Sequence, residues 1–172
     1  MEHRINYTRS LVDLDKATIG QIKDFKRISS NPQIMKNIGN GKIWSGKDVD
    51  KIVFQSKQDA ANDNKDYFHW LLLANDNVVG YLSLRPYKTT DLQIRLFVSP
   101  SGQGHGSAGI DLVTNEYYNV LGGYKQIWAL VKMSNKSSSK IFERNPNWAL
   151  ISIINIYGDN HKEFGYVNED SD

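Results

Sequence analysis

The stretch Ser99 to Gly109, SPSGQGHGSAG, is dense in glycine and stands between an alternating run, LQIRLFV, and a helix-like run. A glycine turn that ends a strand and opens a helix leaves several backbone N–H groups without partners. With the positive end of the helix dipole, they form an anion site that needs no charged side chain. Glycine matters there because a side chain would hold the ligand away from the backbone. Phosphate is the first chemistry to test. A Walker loop is excluded, since no Gly-Lys-Ser/Thr closes the stretch. Gly104-His105-Gly106-Ser107-Ala108-Gly109 does satisfy G-x-G-x-x-G. The dinucleotide reading, however, also needs an acidic residue at the end of the next strand to hold a ribose. That strand, QIWALVK, runs into Lys132, Met133 and Ser134, and the strands ahead of the loop read as antiparallel. The dinucleotide reading falls behind.

Val98-Ser99-Pro100 followed by Gln103-Gly104-His105-Gly106-Ser107-Ala108 resembles motif A of the GNAT N-acetyltransferase superfamily, in which a V-x-P turn precedes Q/R-x-x-G-x-G/A. The resemblance implies that the backbone amides of Gln103, Gly104, His105, Gly106, Ser107 and Ala108 hold the pyrophosphate of acetyl-coenzyme A. It also implies that the main chain of Leu96, Phe97 and Val98 bonds the pantetheine arm. Downstream, VKMSNKSSSKIFER resembles motif B, with Asn135 in the Asn position and Phe142 where many members carry tyrosine. Upstream, NPQIMKNIGNGKIWSGKDVDKIV is similar to the start of the ribosomal-protein-type (Rim-like) Nα-acetyltransferase branch. The match runs roughly from Arg4 to Arg144 and then fades, because Asn145-Pro146-Asn147-Trp148 replaces the usual Gly-Phe.

Acetyl transfer to an amine asks for alignment of amine and thioester, an N–H for the developing oxyanion, and two proton transfers. The resemblance gives the oxyanion role to the Val98 N–H. Gln93 sits where relatives often have glutamate, and a neutral amide orders water but takes no proton. Phe142 lacks a hydroxyl. Ser138, three residues after Asn135, could protonate the thiolate, although serine at such a position more often caps a helix. His69, inside an apolar strand, reads as a hydrogen-bonded core histidine before it reads as a base. His105 is expected to be solvent-exposed, Asp91 to be a turn residue at a strand edge, and Tyr117, Tyr118 and Trp128 to pack. No His/Asp/Glu cluster has metal-ligand spacing, so no metal is expected.

These residues need elements to position them. A strand is expected near Arg4 to Tyr7, then a helix in DKATIGQIKDFKRI with Ile19, Ile22 and Phe25 on one face, and a short helical piece in NPQIMKNIGNG. SGKDVDKIVFQSKQDA should be a helix capped by Ser45 and Asp48, with Val49, Ile52 and Val53 inward. YFHWLLLA, NDN and VVGYLSLRP read as a hairpin, and LQIRLFV as a third strand. Ile110, Val113, Tyr117 and Val120 mark one face of the helix after the glycine loop, which Gly122-Gly123 ends. QIWALVK, SSSKIFER, ALISIINIY and EFGYV supply strand, helix, strand, strand. ALISIINIY is expected to lie buried within its sheet rather than pair across a dimer.

The fold class is α/β: a twisted, mostly antiparallel sheet with helices on both sides, as in the GNAT fold. Acetyl-coenzyme A would enter where LQIRLFV and QIWALVK splay apart. Residues 1–172 are expected to form one domain, with the acidic tail from about residue 168 frayed. A hydrophobic fraction of 40% supports a real core, and scattered charges with a net of +2 argue against a nucleic-acid partner. The absence of cysteine excludes disulfides, thiolate zinc sites and cysteine nucleophiles. The N-terminus lacks the apolar core of a signal peptide, and the longest apolar runs fall short of the ~20 residues of a membrane span, so a soluble cytoplasmic protein is expected. The implied function is acetyl-coenzyme A-dependent N-acetylation of a primary amine: a protein N-terminus, a lysine or a small amine. The alternative is a coenzyme A-binding sensor or scaffold without turnover. Oligomeric state stays open.

Overall fold

Asn75 and Asp76 both adopt positive φ, at 47° and 68°. Two such residues make the tight turn that suits a right-twisted hairpin, and they join β2 (Phe68–Ala74) to β3 (Asn77–Tyr87) as an antiparallel pair. The computed structural model describes residues 6–99 and 103–167. On either side of the hairpin come β1 (Arg9–Asp13) and β4 (Asp91–Val98), and β5 (Ile127–Lys132), β6 (Trp148–Ile156) and β7 (Asp159–Tyr166) complete a seven-stranded sheet in the order β1-β2-β3-β4-β5-β7-β6. Every neighbouring pair is antiparallel except β4 and β5. This is the mostly antiparallel α/β sheet expected from the sequence.

Helices cover both faces. α1 (Ile19–Ser29), the short α2 (Pro32–Met35) and α3 (Gly46–Ala61) lie on one side, where Phe25, Ile28, Met35, Val49 and Val53 pack with Leu71, Leu73, Tyr81 and Phe97 of the sheet. α4 (His105–Asn115) and α5 (Lys136–Glu143) lie on the other, where Ile110, Val113 and Phe142 pack with Leu72, Leu82, Ile94 and Ala129. Alternation along each strand sends odd and even residues to opposite faces. A strand covered on both faces must be apolar throughout, which explains the unbroken WLLLA of β2. Ser45 and Asp48 form the expected capping box at α3, and Thr18 with Gln21 forms another at α1.

Several expectations need correction. The first strand begins at Arg9, not near Arg4: Arg4 and Ile5 lie outside the described residues, and Asn6 to Thr8 precede the ladder. Ile19 belongs to the expected helical face but is 90% exposed, because it opens α1 before the helix reaches the core. Val120 is 63% exposed, since Glu116–Val120 is a π-turn that rotates the face past Tyr117. β6 is an edge strand and not an interior one. β7 comes between it and β5, leaving Leu150, Ile151 and Ile153 at least half exposed. The tail from residue 168 lies outside the described residues.

His69 is the hydrogen-bonded core histidine the sequence suggested. Its Nε2 meets Asp59 Oδ2 at 3.2 Å and its Nδ1 meets the Tyr81 hydroxyl at 2.9 Å. A carboxylate only accepts, so Nε2 carries the proton and Nδ1 accepts from Tyr81. Burial, opposed by Asp59, holds the imidazole below its ordinary pKa. The unfolded chain therefore takes up a proton below about pH 6.5 that the folded chain resists, and stability falls as pH drops through that region. Urea unfolding from pH 7.5 to 5.5 should show this loss in the wild type and a flatter profile in His69→Gln, which also costs about 1–3 kcal/mol at the upper end by disturbing a buried hydrogen-bond chain.

Candidate active site

β4 and β5 run parallel but pair only at Leu92–Ile127, Gln93–Trp128 and Ile94–Ala129. Beyond that point β4 follows β3 as far as Val98, while β5 follows β7 as far as Lys132. The strands part. Ser99 N–H donates to Val79 O at 2.7 Å, and Leu92 N–H donates to Gln126 O at 2.9 Å. Odd-numbered amides of β4 thus face β3, and even-numbered ones face β5. Past Ile94 the main chain of Leu96 and Val98 faces the gap, whereas the amide of Phe97 is turned to Tyr81 on β3.

The gap joins two cavities. A groove of about 1450 Å³ runs between α4 and α5, past Gly104, His105, Gly106 and Ser107. A chamber of about 640 Å³ lies beside the loop that follows α2, past Asn37, Gly39, Asn40 and Trp44. Leu96, Phe97, Asn135 and Ser138 line both, so they stand at the junction.

The groove has the expected glycine turn at one end. Pro100, Ser101 and Gly102 lie outside the described residues, and the turn resumes at Gln103. Gly104, at φ +80°, is the N-cap of α4, a backbone conformation that favours glycine. The first helical bond runs from Ala108 N–H to Gly104 O at 3.1 Å, so the amides of His105, Gly106 and Ser107 lie outside the helical ladder. Gly106 has a packing reason too: a Cβ there would sit 2.8 Å from Ile141 Cδ1 on α5.

Arg9, which the sequence reading passed over, holds this turn from β1. Its Nη2 donates to Gln103 O at 2.8 Å and its Nε to His105 Nδ1 at 3.1 Å, while the guanidinium lies 5.0 Å from the Tyr7 ring centroid. His105 is consequently 1% exposed, not solvated as expected. Burial and the Arg9 charge press its pKa down. Arg9 thus brings a positive charge to a turn already rich in N–H groups.

At the junction, Asn135 is the N-cap of α5. Its Oδ1 accepts from Ser138 N–H at 3.2 Å. The capping duty expected of Ser138 therefore belongs to Asn135, and the Ser138 hydroxyl has no hydrogen-bond partner among the described residues. Phe142 is buried in the core below it.

Gln93 faces the chamber and accepts from Arg85 Nη2 at 3.4 Å. Trp44, Tyr81, Arg95, Lys132, Tyr157 and His161 also line it. Of these the sequence reading weighed none as a site residue. Period-two alternation already placed Gln93 and Arg95 on one face, but no local pattern brings His161 beside Lys132, its partner in the β5–β7 register. Asp91 is structural, accepting from the Trp128 indole at 2.8 Å. Tyr118 donates to Lys125 O and the Tyr117 hydroxyl accepts from Lys125 N–H, so both tyrosines fasten the chain after the π-turn.

A sheet opened between its two parallel strands beside a glycine turn is the frame of the site, and comparison with known proteins places that frame in a family. The acetyltransferase (GNAT) domain model matches residues 12–145, and the chain belongs to that family. Among solved structures, Mycobacterium smegmatis RimJ in complex with CoA-disulfide is similar, with TM-score 0.74, 13% identity, and coverage of 95% of this chain and 83% of that one. A Salmonella typhimurium acetyltransferase described as modifying the N-terminal serine of a 50S ribosomal subunit protein gives TM-score 0.70 at 16% identity, covering 92% and 93%. A spermidine N-acetyltransferase chimera from Vibrio cholerae and hSSAT gives 0.67 at 14%, covering 92% and 95%. A comparison with curated proteins gave no significant match.

The contact between Gly106 and Ile141 makes a packing prediction. Gly106→Ala should cost up to about 1 kcal/mol of unfolding free energy, the cost of mild overpacking against a side-chain tip. Ile141→Val in the same chain should return most of it. A double-mutant cycle by urea unfolding checks the coupling.

Proposed function

We propose that the protein transfers the acetyl group of acetyl-coenzyme A directly to a primary amine, with a peptide N-terminus as the favoured acceptor. The observation that carries this reading is the gap between β4 and β5, where the main chain of Leu96 and Val98 faces a groove ending at the glycine turn. The amides of Gln103 to Ser107 would hold the pyrophosphate, with Arg9 fixing the turn and the Ala108 amide kept in the first helical bond, and the main chain of Leu96 and Val98 would align the pantetheine arm. The thioester would then lie beside Ser138, with the amine approaching from the chamber.

The steps ask little of the protein. The neutral amine attacks the thioester carbonyl, and the Val98 N–H receives the developing oxyanion. The C–S bond breaks as the C–N bond completes. The departing thiolate takes a proton from Ser138, whose hydroxyl is free to give one, and the proton that the attacking nitrogen sheds as the amide forms passes through solvent water to restore that hydroxyl. Asn135 holds the turn that presents Ser138. Gln93 orders a water that carries away the proton of the acceptor ammonium. The preference for a peptide N-terminus rests on the upstream similarity and on the ribosomal acetyltransferases among the structural relatives.

Two variants test this. Gly106→Asp is a poor choice, because any side chain there meets Ile141. Ser107 is exposed at the same helix start, and an acidic residue in a first helical turn is compatible with folding. Ser107→Asp should weaken acetyl-coenzyme A binding at least about tenfold by calorimetry while the melting temperature holds, as expected for a carboxylate placed against phosphate. Unchanged affinity would remove the glycine turn from the coenzyme site. Ser138→Ala should lower kcat about 10²-fold with little change in acetyl-coenzyme A affinity, the usual scale for a lost proton donor. Acetyl-coenzyme A that stays bound but is not consumed with any amine would favour the sensor reading.

A further inference from the structure

The chamber carries an excess of positive charge that acetyl transfer does not use. Arg95 lies opposite Ser83, and Arg85 lies opposite Gln93, so the two arginines share one sheet face on neighbouring strands. Arg85 is exposed at the mouth and Arg95 is half-buried, with its Nη2 beneath Gly39 of the loop that follows α2. No carboxylate among the described residues forms an ion pair with either. Lys132 adds a third unpaired cation to the lining, and His161 stands next to it. Asp159, the first residue of β7, is the one acidic residue among the lining residues. Two guanidinium groups side by side in a partly desolvated cavity repel each other, and that repulsion, after desolvation, presses the pKa of Arg85 down. Gln93 supplies Arg85 with a neutral acceptor at 3.4 Å, which relieves none of the charge.

We infer that the chamber reads a carboxylate on the acceptor, and that the acceptor is a peptide N-terminus with an acidic residue close behind the reacting amine. This rests on the acetyl-transfer reading of the same site. Guanidinium groups suit the task, because their planar forks bind carboxylates with two parallel hydrogen bonds. The register sets the spacing. Arg95 precedes Val98 by three residues, about 10 Å along an extended strand, and Arg85 sits opposite a residue about 7 Å farther on. Measured along the strands, an acetylated amine at Val98 therefore lies about three extended residues from Arg95 and about five from Arg85, at about 3.3 Å each, and the long side chains of both arginines reach back over part of that span. A free amino acid, with amine and carboxylate one carbon apart, is too short to reach both. A polyamine would bring its charges against Arg85, Arg95 and Lys132 and be repelled.

The test uses four acceptors with the full-length protein: a serine-initiated peptide with acidic second and third residues, its alanine and lysine counterparts, and spermidine. Acetyl transfer is followed by release of coenzyme A. Binding of each C-terminally labelled peptide is followed separately by anisotropy, without acetyl-coenzyme A. The acidic peptide should exceed the alanine peptide by at least about tenfold in kcat/KM, chiefly through KM, and the advantage should shrink as salt rises from about 50 to about 300 mM. In Arg95→Gln and in Arg85→Gln that ratio should collapse to within about threefold, the difference left by the other arginine and Lys132. Calorimetry with acetyl-coenzyme A on the same variants reports that they are folded. Equal or better use of the alanine peptide or spermidine by the wild type overturns the inference. So does anisotropy that fails to separate acidic from neutral peptide. Failure to bind or consume acetyl-coenzyme A, with acidic-peptide binding that still depends on the arginines, would overturn the acetyl-transfer reading and leave the carboxylate site standing.

Discussion

The parting of β4 from β5 governs everything around it. Each strand keeps a full ladder on its outer side, β4 with β3 and β5 with β7, so the sheet stays whole while its middle opens. A buried main-chain amide without a partner is costly, by roughly 1–3 kcal/mol. Leu96 and Val98 escape that cost because the opening is roomy enough for solvent or a ligand to satisfy them. The one parallel pair in the sheet is also where α4 must cross over to reach β5. That crossing places the start of a helix beside the open main chain.

The two faces of the sheet then take different tasks. Even-numbered side chains of β4 meet α4 and α5, and the helices come close because Gly106 and Gly109 have no side chains to hold them off; a Cβ on Gly109 would sit 3.2 Å from Leu72 and Leu82. Odd-numbered side chains face the chamber, where Tyr81 stacks on Phe25, and Phe97 and Trp44 close the cluster with tilted and edge-on contacts to make an aromatic floor. On the acetyl-transfer reading, donor and acceptor would approach one point from opposite sides of a single sheet. Charge is divided in the same way, between Arg9 at the glycine turn and the arginine pair in the chamber.

Much of this was legible in the sequence because it is local. Alternation in LQIRLFV, the capping box at Ser45, the Asn-Asp hairpin turn and the glycine turn each state their geometry within a few residues. What was not legible depends on partners far along the chain. His105 looks like a loop residue until Arg9 and Tyr7 cover it, and the edge position of ALISIINIY follows from β7 inserting beside β5. Ser138 and Asn135 both had the chemistry to cap α5, and only the observed hydrogen bond separates them. The π-turn at Glu116–Val120 defeated a simple 3.6-residue periodicity, since one extra residue per turn swings Val120 outward.

The strand order has a consequence for how the molecule comes into being. β5 is held on its outer side by β7, the last strand among the described residues, and not by β6, which precedes it. The clamp on the glycine turn likewise joins Arg9 to His105, 96 residues apart. A chain leaving the ribosome possesses the glycine turn with its Arg9 clamp, both arginines and Ser138 before β7 has been made. Contacts so distant in sequence form late, because the loops they close are long. Until β7 has docked, β5 therefore lacks its outer ladder, and the wall of the gap that it forms is unbraced.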